Sequence, residues 1–246
     1  MFTLYHTLVY QPLYNGLVFL IDVLPWADVG LAVVILTVLV KLVLFPLSRK
    51  SILTQVQMKA LEPALAEIRT KYKDDKQTQA QKTMALYKDK KINPFGGIVV
   101  ILIQFPIIIG LYSIFLRSGL PTITADLLYS FVSFPSVVNM HFLGVVDIGH
   151  KSVWLALIAA ATQYFQIRFA IPTASSTPAV KGVQPSFKDD LARSMQVQMK
   201  YVFPVMVFFI SYNILSAVAL YWTVSNLFAI GQEIVVRRKF HIGDKA

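Results

Sequence analysis

The sequence predicts an all-α polytopic membrane protein with five transmembrane helices, a cytoplasmic helical hairpin and an N-terminal interfacial helix on the outer face of the membrane. Of the 246 residues, 56% are hydrophobic and only 15% are charged, against about 25% charged residues in soluble domains. Several apolar runs reach the length of about 20 residues that a helix needs to cross a bilayer. The formal net charge of +10 is concentrated in a few segments. We expect a single domain over residues 1–246.

Five apolar runs are the candidate transmembrane spans. They cover residues 29–47, 98–116, 152–170, 201–216 and 217–236. The last two runs abut, so we expect a tight helical hairpin between spans 4 and 5. Asn213 and Ser216 lie at this turn and can satisfy its backbone groups.

The distribution of Lys and Arg predicts the orientation of the spans. Residues 1–28 hold no Lys or Arg, whereas residues 49–95 hold eleven, together with five Asp or Glu. Cytoplasmic loops of membrane proteins carry the excess of cations. We therefore place the hairpin at 48–95, the loop at 171–200 and the tail at 237–246 in the cytoplasm, and residues 1–28 and 117–151 outside. The N-terminus is then outside and the C-terminus is cytoplasmic.

Two segments outside the spans have recognisable patterns. Residues 1–28 are apolar but interrupted by Pro12 and polar neighbours, which favours an interfacial helix over a sixth span. No Lys or Arg precedes this segment, so we expect it to be retained and not cleaved as a signal peptide. In residues 48–95, apolar side chains recur at helical spacing and Asp74-Asp75 marks a turn, which predicts a helical hairpin.

The sequence offers little for enzyme chemistry. It contains no cysteine, which excludes disulfides and thiolate catalysis, and its four histidines are isolated from one another. There is no Gly-rich phosphate loop, no spacing typical of metal ligands and no Ser/His/Asp set. We expect no enzyme activity, no cofactor and no metal.

Lys41 is the only charged residue in the first apolar run. An ammonium at the centre of a bilayer costs about 3 kcal/mol on insertion scales. The amine must therefore snorkel to the inner headgroups, pair with an acid or face water inside the membrane. Within the spans an acid occurs only at Glu233, near the inner end of the last one, which disfavours a dry ion pair.

Other spans also carry isolated polar side chains. Taken singly, each is explained by a hydrogen bond between helices, worth about 1 kcal/mol. Together they favour a water-filled cavity that also contains Lys41. The candidate substrate-binding residues are Lys41, Gln104, Gln163, Gln166, Trp222 and Asn226.

The cations of the hairpin are a second candidate surface. Their excess over acids exceeds what solubility requires, which indicates contact with anionic lipid headgroups or RNA. Arg49 and Lys50 also serve as topology anchors directly after the first span. The candidate residues are Arg49, Lys50, Lys59, Arg69, Lys71 and Lys73.

Four sequence blocks carry a family resemblance. They are residues 9–48 with VYQPLYNGLVFLIDVLPW and VLVKLVLFPLS, then ALYKDKKINPFGG, LIQFPIIIGLY and ALYWTVSN. In this order and spacing they resemble the YidC insertase family from Val9 to about Arg238. The sequence is similar to the minimal form of the family, without the large extracytoplasmic domain of some members.

The resemblance implies a function. Members insert small membrane proteins, alone or beside the Sec translocon, and their five spans enclose a hydrophilic groove open to the cytoplasm and to lipid. A basic residue of the first span lies in that groove, and Lys41 occupies its position. Arg is commoner there; Lys keeps the charge but lacks the planar five-donor guanidinium. The implied partners are nascent small membrane proteins, the Sec translocon, the ribosome and anionic headgroups, with no DNA.

Two other function classes remain open from the residues alone. A small solute channel or transporter would use the same polar residues as a pore, although no internal repeat typical of transporters is evident. A scaffold that only assembles other membrane proteins is the third class. The absence of a transit-like segment favours a bacterial plasma membrane over an organellar one.

Overall fold

The computed structural model describes residues 2–24, 28–93, 96–117, 120, 122–170 and 197–243. Most of the predicted cytoplasmic loop at 171–200 lies outside these residues. The chain divides into two compact units, which we describe separately. The first contains Met1–Val43 and Phe105–Gly231, and the second contains Leu44–Gln104 and Gln232–Ala246.

The described residues are largely helical, as the sequence predicts. The N-terminal helices are α1 (Phe2–Tyr5), a π-helical turn (His6–Tyr10), α2 (Gln11–Val23) and α3 (Val29–Val43). They are followed by α4 (Phe45–Ala60), α5 (Glu62–Lys71), α6 (Lys76–Asp89) and α7 (Gly96–Arg117). The C-terminal part contains α8 (Val153–Ala170), a second π-helical turn (Gln198–Val202), α9 (Phe203–Asn213) and α10 (Ser216–Gly243). A short antiparallel pair, β1 (His141–Phe142) and β2 (Val146–Asp147), lies between α7 and α8.

Helix α3 begins and ends for identifiable reasons. Asp28 precedes it, and its Oδ1 accepts the N–H of Leu31 over 2.7 Å, which caps the first turn. The helix ends at Val43, four residues before the predicted end of the first span at residue 47. Pro46, in the first turn of α4, has no N–H to continue the helical ladder, so a new helix starts at Phe45.

The second unit contains the predicted helical hairpin. Helices α5 and α6 pack together, and Asp75 caps α6 by accepting the N–H of Thr78 over 2.9 Å. This confirms the predicted turn at Asp74-Asp75. Burial is sparse, because Ile52 and Leu65 are buried whereas α6 has no buried side chain. The hairpin therefore has few buried side chains and is mostly exposed to solvent.

The predicted outer segment, which connects α7 to α8, is bonded to three helices of the first unit. Asn15 on α2 donates to the carbonyl of Leu127 over 2.8 Å and accepts the N–H of Tyr129 over 2.6 Å. Oδ2 of Asp28 accepts the N–H of Leu143 over 2.9 Å. The N–H of Ala217, at the start of α10, donates to the carbonyl of Ile148 over 3.0 Å. These bonds fix one end of the unit.

The turn between α9 and α10 is as short as the sequence predicts. Helix α9 ends at Asn213 and α10 begins at Ser216. The side-chain amide of Asn213 donates to the carbonyl of Phe209, and the hydroxyl of Ser216 donates to the carbonyl of His150. Both polar side chains thus satisfy backbone groups.

In the described part of the chain, no single helix meets both the length and the hydropathy expected of a membrane span. The consecutive helices α3 and α4 meet these criteria only when taken together as a bent pair. Within α7, Leu102–Leu116 forms a shorter apolar helix.

Candidate functional site

Lys41 lies on the protein-facing stripe of α3. The buried residues of this helix follow helical spacing and are Val29, Gly30, Ala32, Val33, Leu36, Thr37 and Lys41. Lys41 is only 9% exposed, whereas Leu42 and Val43 beside it are 53% and 79% exposed. The ammonium therefore extends from the face of the helix that packs inside the first unit. Thr37, one turn earlier on the same face, donates its hydroxyl to the carbonyl of Val33 over 2.6 Å.

Three of the predicted residues form one hydrogen-bonded chain between α8 and α10. The indole Nε1–H of Trp222 donates to Oε1 of Gln163 over 2.8 Å. Nε2 of Gln163 in turn donates to Oε1 of Gln166 over 3.1 Å. Gln163 is buried, so both ends of its amide are satisfied by polar side chains in otherwise apolar surroundings.

A second link lies one helical turn further along α10. Nδ2 of Asn226 is 3.3 Å from Oγ1 of Thr162, to which it donates. The hydroxyl of Thr162 also lies within donor distance of the carbonyls of Ile158 and Ala159, at 2.9 and 3.0 Å. Thr162 is a site residue that the sequence reasoning missed. Its adjacency to Gln163 was the available signal.

Helix α10 is positioned to present these groups because its first turns, residues 216–221, are buried on every side. Ser216 and the five residues after it are all buried, and Thr223, Ser225 and Asn226 are buried polar residues on the next turns. A helix buried all round lies in the centre of its bundle. Trp222 and Asn226 are four residues apart and thus share one face of this helix.

Gln104 and Glu233 belong to the second unit. Gln104 is half-buried on α7. Glu233 is buried on α10, where its Oε1 accepts the Nε–H of Arg237 over 2.7 Å. The one acid that the sequence places within a predicted span therefore has a partner on its own helix, one turn away.

The six predicted hairpin cations are all solvent-exposed. Arg49, Lys50 and Lys59 lie on α4, and Arg69 and Lys71 lie on α5, with Lys73 in the turn that follows. The ammonium of Lys71 lies 5.7 Å from the ring centroid of Tyr72. Exposed cations on a thin hairpin are accessible to an anionic surface, but their electrostatic attraction is screened by salt.

No group of three or more His, Cys, Asp or Glu side chains capable of holding a metal ion occurs among the residues that the structure describes. The candidate-site side chains of the first unit are amides, the indole of Trp222, the hydroxyl of Thr162 and the ammonium of Lys41. Such groups exchange hydrogen bonds with a polar chain and attract an anion.

A comparison with protein families identifies the lineage of the chain. The family model described as "60Kd inner membrane protein" matches residues 20–244. The chain belongs to this family, the YidC family.

Curated YidC relatives match most of the chain. A "Membrane protein insertase YidC" of Clostridium tetani is 31% identical over 209 residues, covering 85% of this chain and 81% of the relative. The protein of the same name from Fusobacterium nucleatum is 32% identical and is covered to 86% of its length. The one from Oleidesulfovibrio alaskensis is 32% identical over 95% of this chain, which spans only 39% of that relative. YidC members thus differ in length around the shared region.

The YidC match includes every predicted site residue, because all of them lie within residues 20–244. The family description also places the protein in a bacterial membrane. The matched region contains α3, α8 and α10, which carry Lys41 and the hydrogen-bonded polar chain.

Proposed function

We propose that this protein is a membrane protein insertase that moves the short hydrophilic tails of substrate proteins through a positively charged groove within the membrane. The observation that carries the proposal is the burial of Lys41 on the protein-facing stripe of α3. A snorkelling lysine would be expected on the lipid-facing side of its helix. The location of Lys41 instead supports an intramembrane cavity as the environment of its charge.

The polar residues of α8 and α10 would supply hydrogen bonds to the substrate tail inside the groove. A hydrophilic tail loses its hydration when it enters a membrane, and each polar group left without a hydrogen bond costs several kcal/mol there. Gln163, Trp222 and Asn226 offer exchangeable donors and acceptors that replace part of this hydration. Lys41 adds a positive charge that attracts acidic tails.

The apolar part of the substrate would leave the groove along the lipid-facing sides of α7 and α8. On α7, Leu102, Phe105, Ile109, Tyr112 and Leu116 recur at helical spacing, and each is more than a third exposed. On α8, Ile158 and Phe165 are similarly exposed. Apolar stripes of this kind match the surface of a substrate helix and of lipid equally well. Transfer of the substrate helix into lipid supplies the driving force, so no nucleotide is required.

The hairpin is the proposed first contact for the substrate. Its amphipathic helices are thin and solvated, and its exposed cations lie where anionic headgroups and a nascent chain would meet. Contacts with the Sec translocon and with the ribosome belong to the same proposal. We place the hairpin in the cytoplasm, with the N-terminus outside and five spans.

The test of this function is reconstitution of the purified protein alone into liposomes. A small radiolabelled membrane protein with an acidic tail should become protected from external protease when the insertase is present, and not in empty liposomes. A scaffold would leave the substrate unprotected. A solute channel would instead release a small trapped solute without inserting the substrate, and this result would replace the insertase proposal.

A further inference from the structure

An apolar cleft runs between α8 and α9 on the surface of the first unit. Its volume is about 330 Å³, and its six lining residues are Leu157, Ala160, Pro204, Val205, Phe208 and Phe209. All six side chains are apolar, so the cleft offers no partner to a hydrophilic tail. Val205 and Phe209 are each more than half exposed, which shows that the cleft opens outward. It is separate from the polar chain of the candidate site.

One end of the cleft is bordered by aromatic and cationic groups. Tyr164 follows Ala160 by one turn on α8, and Tyr201 precedes Val205 by one turn, so the two tyrosines meet beyond the cleft with ring centroids 6.2 Å apart. The ammonium of Lys200 lies 5.3 Å from the ring centroid of Tyr201. Arg168, one turn past Tyr164, is exposed. This order, from apolar through aromatic to cationic, matches the profile of one leaflet of a bilayer.

We propose that this cleft binds an anionic phospholipid of the cytoplasmic leaflet, with one acyl chain between α8 and α9 and the headgroup phosphate at Lys200 and Arg168. A single hydrocarbon chain is narrow and flexible, and it conforms to an irregular apolar surface between two helices.

The headgroup, and not the acyl chain, should determine which lipid is preferred. The surrounding bilayer is as apolar as the cleft, so an acyl chain gains only shape complementarity on entering it. A basic residue near the membrane surface favours an anionic lipid by about fivefold. The two cations together should therefore enrich phosphatidylglycerol over phosphatidylcholine by roughly ten- to thirtyfold at low salt.

The test uses the full-length protein in liposomes with phospholipids that are spin-labelled near the end of one acyl chain. Electron paramagnetic resonance separates the immobilised lipid from the bulk lipid. We expect immobilised phosphatidylglycerol to exceed phosphatidylcholine in the wild type. Lys200→Gln should reduce this preference about fivefold, whereas Lys151→Gln, which changes an exposed cation between α7 and α8, should retain it.

A second pair of variants tests the cleft itself. Ala160→Phe fills the cleft and should reduce the immobilised fraction of both lipids, whereas Ala161→Phe alters an exposed neighbour that does not line it. Equal immobilisation of the two lipids in the wild type, or an Ala160→Phe variant that retains both, overturns the proposal. The proposal is also overturned if a photocrosslinker at Val205 captures substrate polypeptide in preference to lipid. The lipid assay contains no insertion substrate, so its outcome is independent of the insertase test.

Discussion

The indole of Trp222 and the side-chain amide of Gln163 join α10 to α8 through a hydrogen bond of 2.8 Å. One turn away, Asn226 and Thr162 form a second link between the same two helices. Both links join side chains that are buried or half-buried, so loss of a partner leaves a poorly solvated polar group. Together they set the register of the helix that presents the polar side chains.

The Trp222–Gln163 bond should be measurable as a coupling energy. Trp222→Phe and Gln163→Leu should each destabilise the protein, and the double variant should cost about 1 kcal/mol less than the sum of the two. Unfolding in mixed micelles by titration with dodecyl sulfate measures each value. Trp154→Phe, at a residue that is 73% exposed, serves as the control. Strict additivity of the two changes would show that the bond contributes nothing to stability.

The close approach of Gly30 to Phe142 predicts a steric penalty. A Cβ added at Gly30 would lie 2.7 Å from the ring atom Cγ of Phe142, well inside van der Waals contact. Gly30→Ala should therefore destabilise the first unit by about 1–3 kcal/mol, and by less in a Phe142→Ala background. Gly231→Ala is the matched control, since a Cβ there meets no atom within 4 Å. Thermal unfolding in detergent compares the variants, and equal losses with and without the Phe142 ring would contradict the steric explanation.

The cap of α6 should depend on pH. The hydroxyl and then the backbone N–H of Thr78 donate to the Asp75 carboxylate and hold the pKa of that carboxyl below its usual range. A lowered folded pKa means that the cap is fully stabilising above the unfolded value of about 3.9 and is lost as pH falls through the folded pKa. Protection of the Thr78 amide from hydrogen exchange, corrected for intrinsic rates, should therefore fall as the pH is lowered below about 4.

Asp75→Asn separates the charge from the cap in this experiment. Asparagine keeps an acceptor oxygen for the Thr78 N–H but does not titrate, so its protection should change much less with pH. If wild type and Asp75→Asn lose protection in parallel, the pH dependence has another origin.

The hairpin should be separable from the helices that carry the polar chain. Because α4, α5 and α6 lie in their own compact unit, deletion of residues 52–90 should leave the first unit folded. Crosslinking of a substrate segment should nevertheless fall several-fold, since the first contact is lost. Circular dichroism tests whether the first unit stays folded, and photocrosslinking measures the variant's contact with the substrate. If the deletion variant inserts substrates at the wild-type rate, the hairpin is not needed for insertion and serves only to fix the topology.

Much of the fold could be predicted because local patterns determine it. The turn at Asp74-Asp75 and the short connection from Asn213 to Ser216 both follow from residues that favour turns or caps between helical patterns. The end of α3 at Val43 is harder to predict, because a proline such as Pro46 is tolerated in the first turn of a helix as well as at a kink. The apolar composition is uninterrupted there, so hydropathy extended the run to residue 47.

The site was predicted only in part because its contacts are distant in sequence. Gln163, Gln166, Trp222 and Asn226 were visible as polar residues in apolar runs, but their pairing across α8 and α10 was not. Thr162 was missed because a threonine in a span satisfies its hydroxyl on its own helix. The anchoring of the outer segment by Asn15 and Asp28 depends on tertiary packing. Asp28 as an N-cap was readable from its position before the apolar run, but its second bond to Leu143 was not.

The most direct test of the account is insertion by purified protein in which only Lys41 is changed. Proteoliposomes containing wild type, Lys41→Arg or Lys41→Ala would be supplied with matched substrates whose tails are acidic or neutral. A positively charged groove predicts that Lys41→Arg supports insertion, and that Lys41→Ala loses about tenfold or more in rate for acidic tails but much less for neutral ones. Equal insertion of both substrates by wild type and Lys41→Ala would contradict it.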